Sequence, residues 1–254
     1  MLTVQGLRKS YGGVQALREL SFTATPGRVI GLLGPNGSGK STTINLLTGL
    51  MRPSAGTVCW HGVDIHQQLV AYQALLGYVP EEPRLYAYLT AVEYLTLVGG
   101  LRDLDGTVVA RRVDRFLELF GLETDRYSPL SSFSKGMRQK VLISAALLHD
   151  PQVVILDEPD SGLDVASTLM LRSAVRTLAQ AGKTVVYSSH VLDMVEKICT
   201  DVIILHHGTV VAQDSVARLR ELSKAPSLEA VFATLAVDDN VDATGRAIAE
   251  VGTL

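Results

Sequence analysis

Residues 132–140 read SFSKGMRQK, and residues 153–159, shortly after them, read VVILDEP. The first is a Ser-x-Gly turn that opens a helix. The second is an apolar strand that delivers two acids. A third stretch, GPNGSGKST at 34–42, is a glycine-rich loop of the kind that holds nucleotide phosphates. Such loops are common to kinases, GTPases and ATPases. The Ser-x-Gly turn just ahead of an acidic strand is what narrows the reading.

The G-x-x-x-x-G-K-S pattern is complete from Gly34 to Ser41, between an apolar run at Val29 to Leu33 and a helical stretch at Ser41 to Leu47. A strand before and a helix after are the context the motif requires. Gly34, Gly37 and Gly39 let the backbone curl so that successive N–H groups point at phosphate oxygens, and the helix start adds its positive dipole end. Pro35, Asn36, Ser38 and Thr42 complete the expected binding stretch. Lys40 is expected to reach the β- and γ-phosphates and Ser41 to give its hydroxyl to Mg²⁺. Val153 to Leu156 then presents Asp157 and Glu158 at a strand's carboxyl end, where ligands sit in open α/β sheets. Asp157 suits Mg²⁺, directly or through water. Glu158 points elsewhere and can polarise the water that attacks a γ-phosphate. The sequence has no Asn-Lys-x-Asp guanine-reading motif, which argues against a GTPase.

Around these motifs the chain alternates. Leu2 to Leu7 and Leu20 to Ala24 read as strands about a Gly12-Gly13 turn, and Thr57 to His61 as another. From about Leu85 to His149 the period becomes helical, with Val92, Leu95 and Leu97, then Val113, Phe116, Leu117 and Phe120 on the apolar faces. Lys135 to Leu148 is a third helix there. Strands return at Val153 to Leu156 and Thr184 to Ser188 around a helix at about Val165 to Ala179. Asp201 to Ala212 reads as a hairpin turning at His207-Gly208, followed by two short helices and a polar tail with Asp238-Asp239. The expected fold is α/β: a mainly parallel covered sheet, an antiparallel layer on the N-terminal side and an inserted helical subdomain.

A length of 254 residues allows one large domain. The formal net charge of -3 gives no basic field for nucleic acid. No apolar run reaches the roughly 18 residues of a membrane span, and MLTVQGLRKSYGG does not read as a secretory signal. Asn36-Gly37-Ser38 formally matches a glycosylation acceptor, which means little without such a signal. Cys59 and Cys199 lie in apolar runs without metal-ligand spacing and read as reduced buried thiols.

With SFSKGMRQK and the later elements added, the chain resembles the ATP-binding subunit of an ATP-binding-cassette (ABC) transporter over about Leu2 to Ala212. The resemblance implies a P-loop NTPase core and a single nucleotide-binding domain at 1–215. The helical subdomain, at about 85–150, is inserted in it, and a short helical extension covers 216–254. It implies an ATPase that dimerises around two ATP with Mg²⁺ and powers a membrane permease. The second subunit is an identical or a related copy, nucleic acid is not a partner, and the place is the cytoplasmic face of the membrane. Tyr11 falls where the family stacks a ring on adenine, with an exposed loop tyrosine as the plain alternative. DSGLD at 160–164 matches the D-loop, with Asp164 as its acid, and His190, ending TVVYSSH, matches the switch histidine. Ser134 and Gly136 correspond to the signature turn that closes over the ATP of the other copy.

The sequence departs from the family in two places. Glu81, in GYVPEEPRLY at 77–86, stands where the family usually has Gln, which puts its role at the metal in question. The turn has Phe133, Lys135 and Met137 where Leu, Gly and Gln are common. Both variants resemble the ABC-2, or CcmA-like, exporter branch. Leu85 to Leu89, with Tyr86 and Tyr88, is a candidate permease-docking surface, with aromatic packing inside the helical subdomain as the equal alternative. A non-transport ABC ATPase working as a clamp, a regulatory nucleotide-binding protein and a P-loop kinase stay as rival readings.

Overall fold

The computed structural model describes residues 1–223 and 227–236. Ten strands form one sheet in the order β5-β4-β1-β2-β10-β9-β3-β8-β7-β6. β1 (Leu2–Tyr11), β2 (Val14–Ala24), β4 (Ala55–Trp60) and β5 (Val63–Asp64) pair antiparallel and make the N-terminal layer. β3 (Val29–Leu33), β6 (Leu76–Val79), β7 (Val153–Asp157), β8 (Thr184–Ser188) and β9 (Asp201–His206) run parallel, with β10 (Thr209–Ser215) antiparallel to β9. This is the P-loop core, antiparallel layer and helical insertion expected above.

β1 and β2 both run on to the Gly12-Gly13 turn, beyond the ends the sequence suggested. Both glycines have positive φ, 51° and 92°, the geometry a two-residue hairpin turn needs. The outer half of the hairpin is largely polar, so no apolar alternation marked it.

The central strands are buried on both faces, and consecutive residues divide between two cores. Val29, Leu33, Val154, Leu156, Val185 and Tyr187 face one; Ile30, Leu32, Val153, Ile155 and Val186 face the other. α1 (Lys40–Leu47) lies over the second. α5 (Lys135–Leu147), α6 (Val165–Gln180) and α7 (Leu192–Ile198) lie over the first. The helix α2 (Leu69–Ala74), β6 and α7 were not anticipated. Each is at most seven residues long, too short for a period to register.

The helical subdomain has its own core. α3 (Ala91–Leu101) starts in a Thr90/Glu93 capping box, and α4 (Gly106–Leu119) starts on Asp105, whose carboxylate accepts from Thr107 N. The packed stripe of α3 is Ala91, Leu95 and Gly99, and Leu97 is exposed, contrary to expectation. The reason is Gly99: a Cβ there would lie 2.6 Å from Val109 Cγ2, so α4 crosses at the glycine and turns Leu97 outward.

Cys199 is buried beneath Gly31, burial pushes its thiol up, and Cys59 is half-buried; both are free. Among the described residues two helices follow β10, α8 (Val216–Ser223) and α9 (Leu228–Ala236), and Val216, Leu219, Leu228 and Val231 enter the main core. Asp238-Asp239 lies outside the described residues. Among the described residues no helix is long and apolar enough to cross a membrane.

Candidate nucleotide site

Four strand ends deliver the site. The loop after β3 carries the glycines, the loop after β6 carries Glu81, β7 ends in Asp157, and β8 leads to His190. A cavity of about 260 Å³ opens between them, lined by the loop, by Lys40, Ser41 and Thr42 of α1, and by Ala16, Glu81, Asp157 and Glu158.

α1 begins on Gly39, at φ 107°, with no side-chain cap and no acid in its first turn. Its first N–H groups are therefore left for an anion. Close contacts fix two of the glycines. A Cβ on Gly34 would lie 2.3 Å from Leu205 O, and one on Gly39 2.7 Å from Ala16 O. Lys40 is buried, and its ammonium donates to Gly34 O at 2.7 Å, which holds it over the loop. Ser38 Oγ is buried without a hydrogen-bond partner in the protein.

Asp157 is buried and opposite Ser188 in the β7–β8 register. Ser188 Oγ donates to Asp157 Oδ1 at 2.5 Å. Burial pushes the Asp157 carboxyl up to about 6; the Ser188 hydrogen bond opposes this, Glu81 and Glu158 add to it, and Lys40 opposes it. Glu158 has φ 47°, a left-handed conformation that costs a non-glycine residue about 1–3 kcal/mol. Its N–H donates to Ser188 O and Ser188 Oγ, both at 3.2 Å, and its Oε2 stands 2.8 Å from His190 Nδ1. The carboxylate is buried while the imidazole is 65% exposed.

The donor set fits a magnesium ion. Mg²⁺ takes hard oxygen ligands, one or two carboxylates together with substrate phosphates and water. Ser41 and Asp157 offer the oxygens, and among the described residues no cluster of three or more His, Cys, Asp or Glu stands ready to hold an ion unaided.

Other expected residues stand apart from this cavity. Tyr11, at the end of β1, is 43% exposed; its hydroxyl reaches Met51 Sδ at 2.7 Å and Lys9 sits over its ring. Ser134 caps α5, its Oγ accepting from Met137 N at 3.2 Å. Gly136 touches the 160–164 loop of its own chain: a Cβ there would lie 2.4 Å from Gly162 O. Asp164 caps α6, accepting from Ser167 N and Oγ, and those bonds hold its carboxyl down to about 2. Tyr86 and Tyr88 are exposed at 55% and 77% and pair at 6.0 Å, while Leu85 packs inward.

Sequence reasoning missed Ser188, which holds both acids. A signal existed, since Ser188 and Ser189 close an apolar run just before His190, and both are fully buried. It also missed the tie from Lys135 Nζ to Ser161 Oγ, at 2.7 Å.

The ABC transporter family model matches residues 17–161, more than half of the chain. The chain is 34% identical over 220 residues to the ABC transporter ATP-binding protein NatA of Bacillus subtilis, covering 86% of this chain and 89% of that one. It is 33% identical over 213 residues to the Nod factor export ATP-binding protein I of Ralstonia nicotianae, covering 84% and 66%. A solved ATP-binding subunit of an ABC transporter superposes with a TM-score of 0.86 at 33% identity, over 92% of this chain and 98% of that one.

Proposed function

Because the chain belongs to the ABC transporter family as an ATP-binding, ATP-hydrolysing subunit, we propose that its site is completed by a second copy and that the pair drives an export permease. The observation that carries this is the separation of two half-sites. The loop, Lys40, Ser41, Asp157 and Glu158 surround one cavity, whereas Ser134 and Gly136 stand at the exposed start of α5 and do not line it.

In this reading Gly34 to Thr42 cradle the phosphates, Tyr11 stacks on adenine, and Ser41 and Asp157 hold Mg²⁺, which neutralises charge on the phosphates. Glu158 accepts a proton from the attacking water, and His190, bonded to it, orients the carboxylate and contacts the γ-phosphate. Ser134, Gly136 and Asp164 act on the ATP of the other copy. Ser134 Oγ already accepts the Met137 N–H, so its own O–H stays free to donate to a phosphate oxygen. ATP binds the closed pair better than the open one, and hydrolysis removes that bias. Swinging the pair from 1:99 to 99:1 takes about 5.5 kcal/mol, less than 3 kcal/mol from each of two ATP.

The unit doing this is residues 1–215, with the helical insertion at about 85–150 as a lever and 216–254 as an extension. In this reading Tyr86 and Tyr88, exposed beside the Glu81 loop, are the surface offered to the permease, and docking there holds the protein at the cytoplasmic face of the membrane. The export direction rests on SFSKGMRQK, on PEEP and on the similarity to a Nod factor export subunit.

The test uses sedimentation with ATP. A Glu158→Gln chain becomes a dimer on adding ATP, and adding Ser134→Arg leaves it monomeric while each monomer still binds one ATP. A Ser134→Arg chain that dimerises as well as its parent would overturn the two-copy site.

A further inference from the structure

Glu158 is followed at once by a loop, 159–164, that runs along the first two turns of α5. The two touch at backbone level through Gly136 and Gly162 O, and Gln139 Nε2, buried, donates to Pro159 O at 3.1 Å. On the far side Tyr187 OH donates to Asp160 Oδ1 at 2.8 Å, fastening the loop to β8. Lys135 adds a link at the exposed edge. Its stem lies along Gly162, where a Cβ would meet Lys135 Cγ and Cδ at 3.1 Å, and its ammonium donates to Ser161 Oγ at 2.7 Å. A glycine at 135 could make neither contact. Gly162, at φ 80°, leaves the room in which the lysine lies.

We propose that Lys135 is a positioning residue that joins the Ser134–Gly136 turn to the 160–164 loop, so that both reach the partner's ATP as one rigid unit. The inference rests on the two-copy reading above. In that reading the turn grips phosphate, and the loop begins one residue after Glu158. A loosened loop therefore impairs the hydrolytic step more than the grip. Lys135 as a direct phosphate ligand predicts the reverse, because losing a phosphate contact weakens ATP-driven closure first. Ser161 separates the two roles: it is the partner that Lys135 has within its own chain.

The experiment compares Lys135→Ala, Ser161→Ala, the double variant and Lys135→Arg in the full chain. It records ATP turnover against ATP concentration, and ATP-driven dimerisation in a Glu158→Gln background. The expected result is a kcat lowered about 3- to 10-fold in each single variant, with the double variant no lower than the worse single, as for one shared contact. KM and dimerisation stay within about 2-fold of the parent, and Lys135→Arg, which keeps a charged donor, restores most of kcat. Additive losses, unchanged kcat, or a loss confined to dimerisation in Lys135→Ala alone each overturn the proposal. Ser134→Arg is the control. If it leaves turnover intact the two-copy site itself falls; if it abolishes turnover while Lys135→Ala and Ser161→Ala do not lower kcat, only the link falls.

Discussion

His190 Nδ1 stands 2.8 Å from Glu158 Oε2, so the acid at the end of β7 is already aimed by the histidine that follows β8. Ser188 fixes the other end of the same residue by accepting the Glu158 N–H. With its backbone N–H held by Ser188 and its Oε2 by His190, the Glu158 carboxylate is preorganised for proton transfer. Glu158→Gln keeps the shape and removes the basicity. The expected outcome is a kcat lowered about 10²–10⁴-fold with ATP still bound. Single-turnover hydrolysis with purified protein measures it, and a parental rate would sink the general-base assignment.

His149 gives a pH dependence remote from the phosphates. Its Nε2 lies 3.1 Å from Leu76 O, a carbonyl that also accepts from Arg102 Nη2 at 3.2 Å. Burial, with Arg102 next in weight, pushes its pKa down to about 4. Between about 4 and the ordinary 6.5 the unfolded chain holds a proton that the folded chain lacks. Stability from this group is therefore complete above 6.5 and is lost as pH falls through about 4. The limit is about 3 kcal/mol, reduced by the partial exposure of the ring. His149→Gln should flatten the pH 4–6.5 limb of stability measured by urea unfolding. An unchanged limb would assign the dependence to other groups.

Much of this was legible because the motifs are local. A phosphate loop is one uninterrupted stretch, and Asp157 and Glu158 end a strand whose apolar run announces it. Where the sequence fell short, the relation was between distant segments. Ser188 matters because β8 sits between β3 and β7 and puts it opposite Asp157, a register that no single stretch encodes. Gly136 read as part of a turn that closes over the ATP of another copy, yet its immediate neighbour is Gly162 O, 26 residues on in the same chain. Leu97 satisfied a helical period and still faces out, because the crossing point of α3 and α4 was set by Gly99. Periodicity finds a face; only packing tells which part of it is covered.

Gly136→Ala tests that neighbour directly. The added methyl would stand 2.4 Å from a backbone carbonyl, where no flexible side chain can give way. The start of α5 or the 160–164 loop must move, at a cost of about 1–3 kcal/mol. Both loss of stability and loss of turnover are expected, and Ser134→Ala, which adds no atoms, should lose turnover with a smaller loss of stability. Thermal unfolding separates them. A Gly136→Ala chain as stable as its parent would mean that the loop yields freely.

Glu81 is exposed in the loop after β6 yet lines the cavity with Asp157 and Glu158, and its charge helps to raise the Asp157 carboxyl. Three carboxylates would repel a polyphosphate bound in this cavity, with buried Lys40 in the same lining as the opposing charge. Because Glu81 is solvated, its repulsion is near the weak limit, about 1 kcal/mol for a unit charge at contact range. A cation between the groups would screen that term. Glu81→Gln should therefore tighten ATP binding about 5-fold when magnesium is chelated and change it little when magnesium is saturating. Turnover should shift as well, because the residue borders both acids. Fluorescent-nucleotide titrations with EDTA and with Mg²⁺, beside ATPase rates, read both effects. Equal affinities in the two conditions and an unchanged rate would place Glu81 outside the reach of the phosphates, and the glutamate would then be a surface residue of the loop after β6.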